Sequence, residues 1–404
     1  MAVGHRRLPP PSVLSDHWTL DPEVVFLNHG SFGACPKVVL EAQQQWRRRM
    51  EAEPVRFFVR ELEAELDAAR RELADFVGAD PGGMAWVTNA TTGVNTVLGS
   101  FPLEVGDEVV TTDHEYNACR NALDVAAQRT RASVVVASIP LPVTSPDTVV
   151  ETILEKITAR TRLVLVDHVT SPTGLVLPLE RLVTELESRG VAVLVDGAHA
   201  PGMLDLDLKG LGPSFYTGNC HKWLCAPKGA AFLSVREDWV ERMRPLVISH
   251  GANAWAGERS RFRLEFDWTG TRDPSPFLTV PMALHTMESL LEGGWPEIRR
   301  RNKALALEGR RILCEALRID SPCPDSMIGS LASLPLPDGI ADPPRSPLDI
   351  DPLQDELLGQ YGIEVPVIPW PAPPRRLLRF SAQLYNTVEQ YCYLAAALGS
   401  LLPR

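Results

Sequence analysis

The 404-residue chain is 45% hydrophobic and 23% charged, the balance of a globular protein long enough for two packed domains around large cores. Its net charge of −11 argues against nucleic acid or an anionic membrane as partner, and no apolar run approaches the length of a membrane span. The seven cysteines are odd in number and form no C-x-x-C pair, a pattern that suggests neither a disulfide framework nor a metal site.

The chain opens with Arg6-Arg7 followed by Pro9-Pro10-Pro11, without the apolar stretch of a secretory signal. Residues 1–15 therefore read as a flexible arm of a cytoplasmic protein. From Trp46 to Phe76 the sequence is charged and helix-prone, with Leu62, Leu66 and Leu73 spaced for one apolar face. Beyond a short strand at 84–87, apolar β-branched runs at 108–111, 133–139, 163–166, 191–195 and 231–235 alternate with amphipathic segments such as 149–157 and 179–189. Continuous apolar runs between helices predict an α/β fold with a mostly parallel sheet covered on both faces, over residues 16–285. Pro-rich stretches at 335–347 and 366–374 mark a smaller α+β domain at 286–404.

In such folds ligands bind beyond the C-terminal ends of the strands. The run 191–195 is followed by Asp196-Gly-Ala-His199. A carboxylate at a strand end is costly without a cationic partner, and a protonated pyridine nitrogen is one such partner; a turn-capping Asp is the simpler alternative. Lys222, one of six lysines, comes 26 residues later between His221 and Trp223, away from any charged helical face. A lysine of lowered pKa in a partly dry pocket is what Schiff-base chemistry requires. Asn89-Ala-Thr91-Thr92-Gly93 opens a predicted helix, where hydroxyls and free N–H groups bind phosphate or simply cap the helix.

Taken in order, NHGSFG (28–33), NATTGVN (89–95), DHEY (113–116), SPTG (171–174), DGAHAPG (196–202), GNCHKW (218–223), WTGTRD (268–273) and RFSAQLYNT (379–387) resemble the class V aminotransferase-fold enzymes. These are fold type I enzymes dependent on pyridoxal 5′-phosphate (PLP), and within them the chain looks closest to the isopenicillin N epimerase-like group. The resemblance implies that Lys222 carries PLP as a Schiff base and moves protons at Cα, that Asp196 pairs with the ring nitrogen, and that His199 lies near the ring oxygen or phosphate. It makes Thr91, Asn219 and His221 phosphate ligands with Ala90 and Thr92 beside them, and Thr271 a phosphate ligand lent by the second subunit of a homodimer. His114 or Tyr116 stacks on the ring; the sequence leaves both open. Ser171 stands where relatives often carry an Asn touching the ring oxygen, which leaves its role and that of Thr173 open. Arg379 resembles the clamp for the substrate carboxylate, and Asn28 and His29 a further substrate-contacting loop.

The stretch 362–371 lacks the nucleophilic cysteine that desulfurases carry before that arginine, which argues against persulfide chemistry. The outcomes that remain are epimerisation, which the resemblance favours, β-elimination from a cysteine conjugate, and transamination, all within specialised metabolism; a non-catalytic PLP-binding protein is the rival of another class. Trp255, Arg259 and Arg261, near the Gly/Ala-rich stretch 251–257, read equally as lid or surface.

Overall fold

The computed structural model describes residues 8–255, 257–339, 346 and 349–402; residues 1–7 of the expected arm, Ala256 and much of the Pro-rich stretch 340–348 lie outside them. After a two-residue strand β1 (Val25–Phe26) come β2 (Met84–Val87), β3 (Glu108–Thr112), β4 (Ser133–Ala137), β5 (Thr161–Asp167), β6 (Ala192–Asp196), β7 (Phe215–Asn219) and β8 (Ala231–Val235). The last seven form one sheet in the order β2-β8-β7-β6-β5-β3-β4, parallel except for β8, which runs antiparallel to both neighbours.

The α/β expectation holds for a physical reason visible residue by residue. Leu163, Leu165 and Leu194 join one apolar cluster while Val164, Val166, Val193 and Val195 join the other, so alternate side chains feed cores on opposite faces. One core is closed by Val94, Val97 and Leu98 of the helix Ala90–Ser100, with Leu123 of the helix Asn117–Thr130. The other is closed by Leu66 and Leu73 of the helix Leu62–Val77 and by Leu182 and Leu186 of Leu179–Ser188. Each such leucine, fully buried, contributes about 1.5–3 kcal/mol of transfer free energy.

Three local readings change. The helix-prone region 46–76 is two helices, Lys37–Ala52 and Leu62–Val77, because Pro54 cannot donate into the first; it starts a new turn instead, with the Glu53 carboxylate accepting the Arg56 N–H at 2.9 Å. The polar-looking Thr217-Gly-Asn219 is the end of a fully buried central strand, β7, where Gly218 makes room for Phe232 and Pro201. The expected flexible arm is fixed over residues 8–15. There the Ser12 N–H donates to the Tyr385 carbonyl at 3.0 Å, the Thr387 hydroxyl donates to the Pro10 carbonyl at 3.0 Å, and Val13–His17 form a 3-10 turn.

The C-terminal layer holds β9 (Leu331–Leu336), β10 (Ile363–Glu364), β11 (Val367–Pro369) and β12 (Arg376–Ser381). β11, β12 and β9 form an antiparallel sheet, backed by the helices Gly294–Leu317 and Val388–Leu401. β1 pairs with β10 and Trp18 packs edge-on to Tyr385, so the N-terminal segment through Phe26 joins this layer although the sequence assigned residues 16–26 to the large domain. No helix among the described residues is long and apolar enough to cross a membrane.

Candidate active site

The C-terminal ends of β5, β6 and β7 lie on one edge and deliver Asp167, Asp196 and Asn219 there, with Asp167 in register with Asp196 and Asp196 with Thr217. β2, two antiparallel steps away, ends on the same edge and leads into the helix Ala90–Ser100. A cleft of about 340 Å³ opens above this edge, lined by Thr91, Tyr116, Asp196, His199, Lys222 and Arg379 among others.

Lys222 is half-buried, and its Nζ lies 3.0 Å from His199 Nε2. Burial, then the charge of Arg379, brings the ammonium down to about 7, although Asp196 and Asp167 pull the other way. Its carbonyl is held at 3.0 Å by His29 Nε2, whose Nδ1 meets the Tyr385 hydroxyl at 2.8 Å. Gly33 is what lets this loop press on the lysine: at φ 70°, a Cβ there would sit 2.0 Å from the His221 carbonyl oxygen.

Asp196 Oδ1 accepts the Ala198 N–H at 2.9 Å and Oδ2 accepts the Cys119 S–H at 3.1 Å. Burial raises all three carboxyls of this neighbourhood; Glu115 rises further through repulsion from Asp196, and Asp167 through repulsion from Glu115 and Asp196. Glu115 and Asp167 are raised well above the ordinary carboxylate range, whereas Asp196, opposed by the Cys119 and Ala198 donors and the charge of Lys222, is raised less, so it is the carboxyl best able to take the negative charge.

At the other end, Asn89 caps its helix by accepting the Thr92 N–H at 2.8 Å, and Asn219 Oδ1 accepts the Ala90 N–H at 2.9 Å. A Cβ at Gly93 would meet Thr217 Oγ1 at 2.1 Å, so glycine allows the helix start to lie directly on β7. Ala90, Thr91, Asn219 and His221 all line the cleft at this positive helix end, which suits a phosphate. The Thr92 hydroxyl is turned to Thr88 and Asn89 instead.

Arg379, buried on β12, donates through Nη1 to the Ser171 carbonyl at 2.6 Å and its hydroxyl at 3.2 Å, and through Nη2 to the Ser31 hydroxyl at 2.8 Å. Every one of these acceptors is neutral and Nε has none; burial lowers the guanidinium to about 10. Among the described residues no anion pairs with this cation, and a carboxylate entering the cleft is the complement.

The structure separates residues that the sequence grouped. Tyr116 lines the cleft and is 45% exposed, whereas His114 is fully buried beneath, with Nδ1 on the Thr173 hydroxyl (2.7 Å) and Nε2 on the Ile139 carbonyl (3.0 Å). Asn28 and His29 stand behind the wall, Asn28 bonded to Glu364 at 2.9 Å, and the cleft is lined by Gly30, Ser31 and Phe32. Thr271 is exposed on the turn after the helix Arg261–Asp267, outside the lining of this cleft. The lid reading of Arg259 and Arg261 gives way to ion pairing: Arg259 binds Asp67 and Asp267 at 2.9 Å each, and Arg261 meets Glu265 at 3.2 Å. Asp167 and Ala198 line the cleft without having been singled out, beside Asn89, which the sequence offered as a helix cap; Asp167 ends an apolar strand just as Asp196 does, and that signal was available.

A buried acid at one end, a helix start at the other and a neutralisable lysine between them fit a flat phosphorylated pyridine aldehyde such as PLP. The aminotransferase class-V family model matches residues 25–261. Isopenicillin N epimerase of Streptomyces clavuligerus is 36% identical over 396 residues, covering 95% of this chain and 96% of the relative. A probable chloroplastic L-cysteine desulfhydrase of Arabidopsis thaliana is 32% identical over 409 residues, covering 95% and 84%. Among solved structures, the cystine C–S lyase C-DES in complex with cysteine persulfide superposes with a TM-score of 0.78 over 94% of this chain and 98% of its own, at 21% identity, a likeness of fold. The chain thus belongs to the class V aminotransferase family and is a PLP-dependent enzyme of fold type I.

Proposed function

We propose that the enzyme is an epimerase of the isopenicillin N epimerase-like kind, acting at Cα of an amino-acid substrate in specialised metabolism. The observation that carries this reading is the placement of two proton-moving groups on opposite sides of Asp196. Lys222 follows β7 and Tyr116 follows β3, with β6 and β5 between them in the strand order. Bound PLP supplies the electron sink that acidifies the Cα–H bond. Arg379 holds the substrate carboxylate, fixing which bond faces the lysine. Lys222 Nζ takes the Cα proton from one face. The Tyr116 hydroxyl, kept protonated because burial raises its phenol, delivers one to the other face. Asp196 holds the ring-nitrogen proton, and Thr91, Asn219 and His221 receive the phosphate. A homodimer in which Thr271 reaches the neighbouring site completes this reading.

The plant relative supports a second reading, β-elimination from a cysteine conjugate, which needs Lys222 but no acid on the opposite face. A protein persulfide step has no support from the cleft, since none of the described residues that line it is a cysteine. Incubation with amino acids and cysteine conjugates in D₂O separates the two readings. Epimerisation gives deuterium at Cα and inverted product without breakdown of the amino acid, and Tyr116→Phe slows inversion by roughly 10²-fold or more. Release of pyruvate, ammonia and a thiol, undiminished in Tyr116→Phe, would replace epimerase with lyase.

A further inference from the structure

Cys119 has no part in the chemistry described so far, yet it touches the residue on which the cofactor's electronics depend. It is the third residue of the helix Asn117–Thr130 and fully buried, and its S–H points to Asp196 Oδ2 at 3.1 Å. The same first turn begins at Tyr116, one helical turn before Cys119, so one face of one turn carries both the ring at the cleft and the donor beneath Asp196. The other Asp196 oxygen accepts the Ala198 N–H at 2.9 Å.

We propose that Cys119 is a positioning residue for PLP: its thiol donates to Asp196 Oδ2, fixes the orientation of that carboxylate and keeps it anionic, so that the proton it shares with the ring nitrogen stays on the ring. The surroundings make this donor consequential. Potential ligand atoms of Glu115, Cys119 and Asp196 lie within 4.8 Å of one another, and Asp167 stands beside Asp196 across the strand pair. Lys222 faces Asp196 from the cleft and Tyr216 from the adjoining strand. Burial disfavours the ionised form of Asp196, and the charge of Lys222 favours it from the cleft. Hydrogen bonds to the anionic form act beside that charge and the ring-nitrogen proton to hold it. Burial pushes the Cys119 thiol far up, so it stays a donor throughout the working pH range and does not become a competing anion.

The inference rests on the PLP assignment and is indifferent to which reaction follows, so its test reads the cofactor rather than turnover. The holoenzyme is titrated with pH and its visible absorbance followed, and PLP retention is measured by dialysis, in the native enzyme, Cys119→Ala and Cys119→Ser. Losing the donor lets the proton move from ring to Asp196, and a neutral ring withdraws fewer electrons from the lysine linkage. The absorbance midpoint of Cys119→Ala is thus expected to rise by about half a unit or more, with PLP retained several-fold less tightly. Cys119→Ser, which keeps an O–H donor in almost the same volume, is expected to stay near native in both. An unchanged midpoint in Cys119→Ala overturns the proposal, as do equal shifts in the two variants, which would mark a packing effect. Should Cys119→Ala fail to fold, the S–H stretch of the native holoenzyme decides, assigned by its loss in Cys119→Ser: a frequency below those of the other buried thiols supports the bond, and one equal to theirs overturns it.

Discussion

Two buried arginine regions of this protein differ in one respect that separates structure from function. Arg70, on the helix Leu62–Val77, is ion-paired with both Asp67 and Asp267, and Arg259 joins the same two carboxylates. Arg379 is as deeply buried but receives only serine oxygens. A buried cation with its anions in place is a strut between the helices 62–77 and 261–267. A buried cation without one keeps its desolvation cost until a ligand offsets it, which is the signature of a binding site.

The largest effect expected from breaking this contrast is on the strut. Arg70→Ala removes one of the two cations on Asp267, leaving Arg259, and should lower the denaturation free energy by about 3 kcal/mol, while KM of the remaining folded enzyme stays native. A raised KM instead would place the strut in the binding machinery. Arg379→Lys should do the reverse: loss of the two-pronged donor costs about 1.5–3 kcal/mol of carboxylate binding, roughly ten- to a hundredfold in KM, with little change in stability. An unchanged KM would remove Arg379 from the substrate site.

The smallest effect sharpens the contrast by pH. Arg379 helps to hold Lys222 at about 7, so the neutral amine is available above that pH and protonated below it. Capture of PLP by the apoprotein should therefore accelerate as pH rises through about 7 and then level off, whereas an ordinary lysine would still be gaining at pH 10. In Arg379→Gln the midpoint should move up, because a repelling charge is gone. Stopped-flow absorbance measures both.

Most of the candidate cofactor site was legible because each of its residues sits where a strand ends. Asp196 follows an apolar run and Lys222 is a lone lysine among His and Trp, so local pattern and the family motifs both point to them. The proposed substrate side was less legible. Its wall combines Ser31 from the N-terminal loop, Ser171 after β5 and Arg379 on β12, which lie far apart in the chain and meet only through packing. The same holds for His114 and Tyr116, two residues apart in one loop: only the path of the chain into the helix Asn117–Thr130 sends one ring under the sheet edge and the other into the cleft.

By itself the sequence determined the α/β architecture, the family and the cofactor, since hydrophobic period and short motifs are local and survive without coordinates. Tertiary structure alone decided that residues 8–15 are anchored on the C-terminal layer, that Arg259 is a strut, and that Cys119 lies under Asp196. The physical reason is common to all three. Burial and partner identity set the charge state and the role of a polar group, and both depend on which distant segments the fold brings within hydrogen-bond reach.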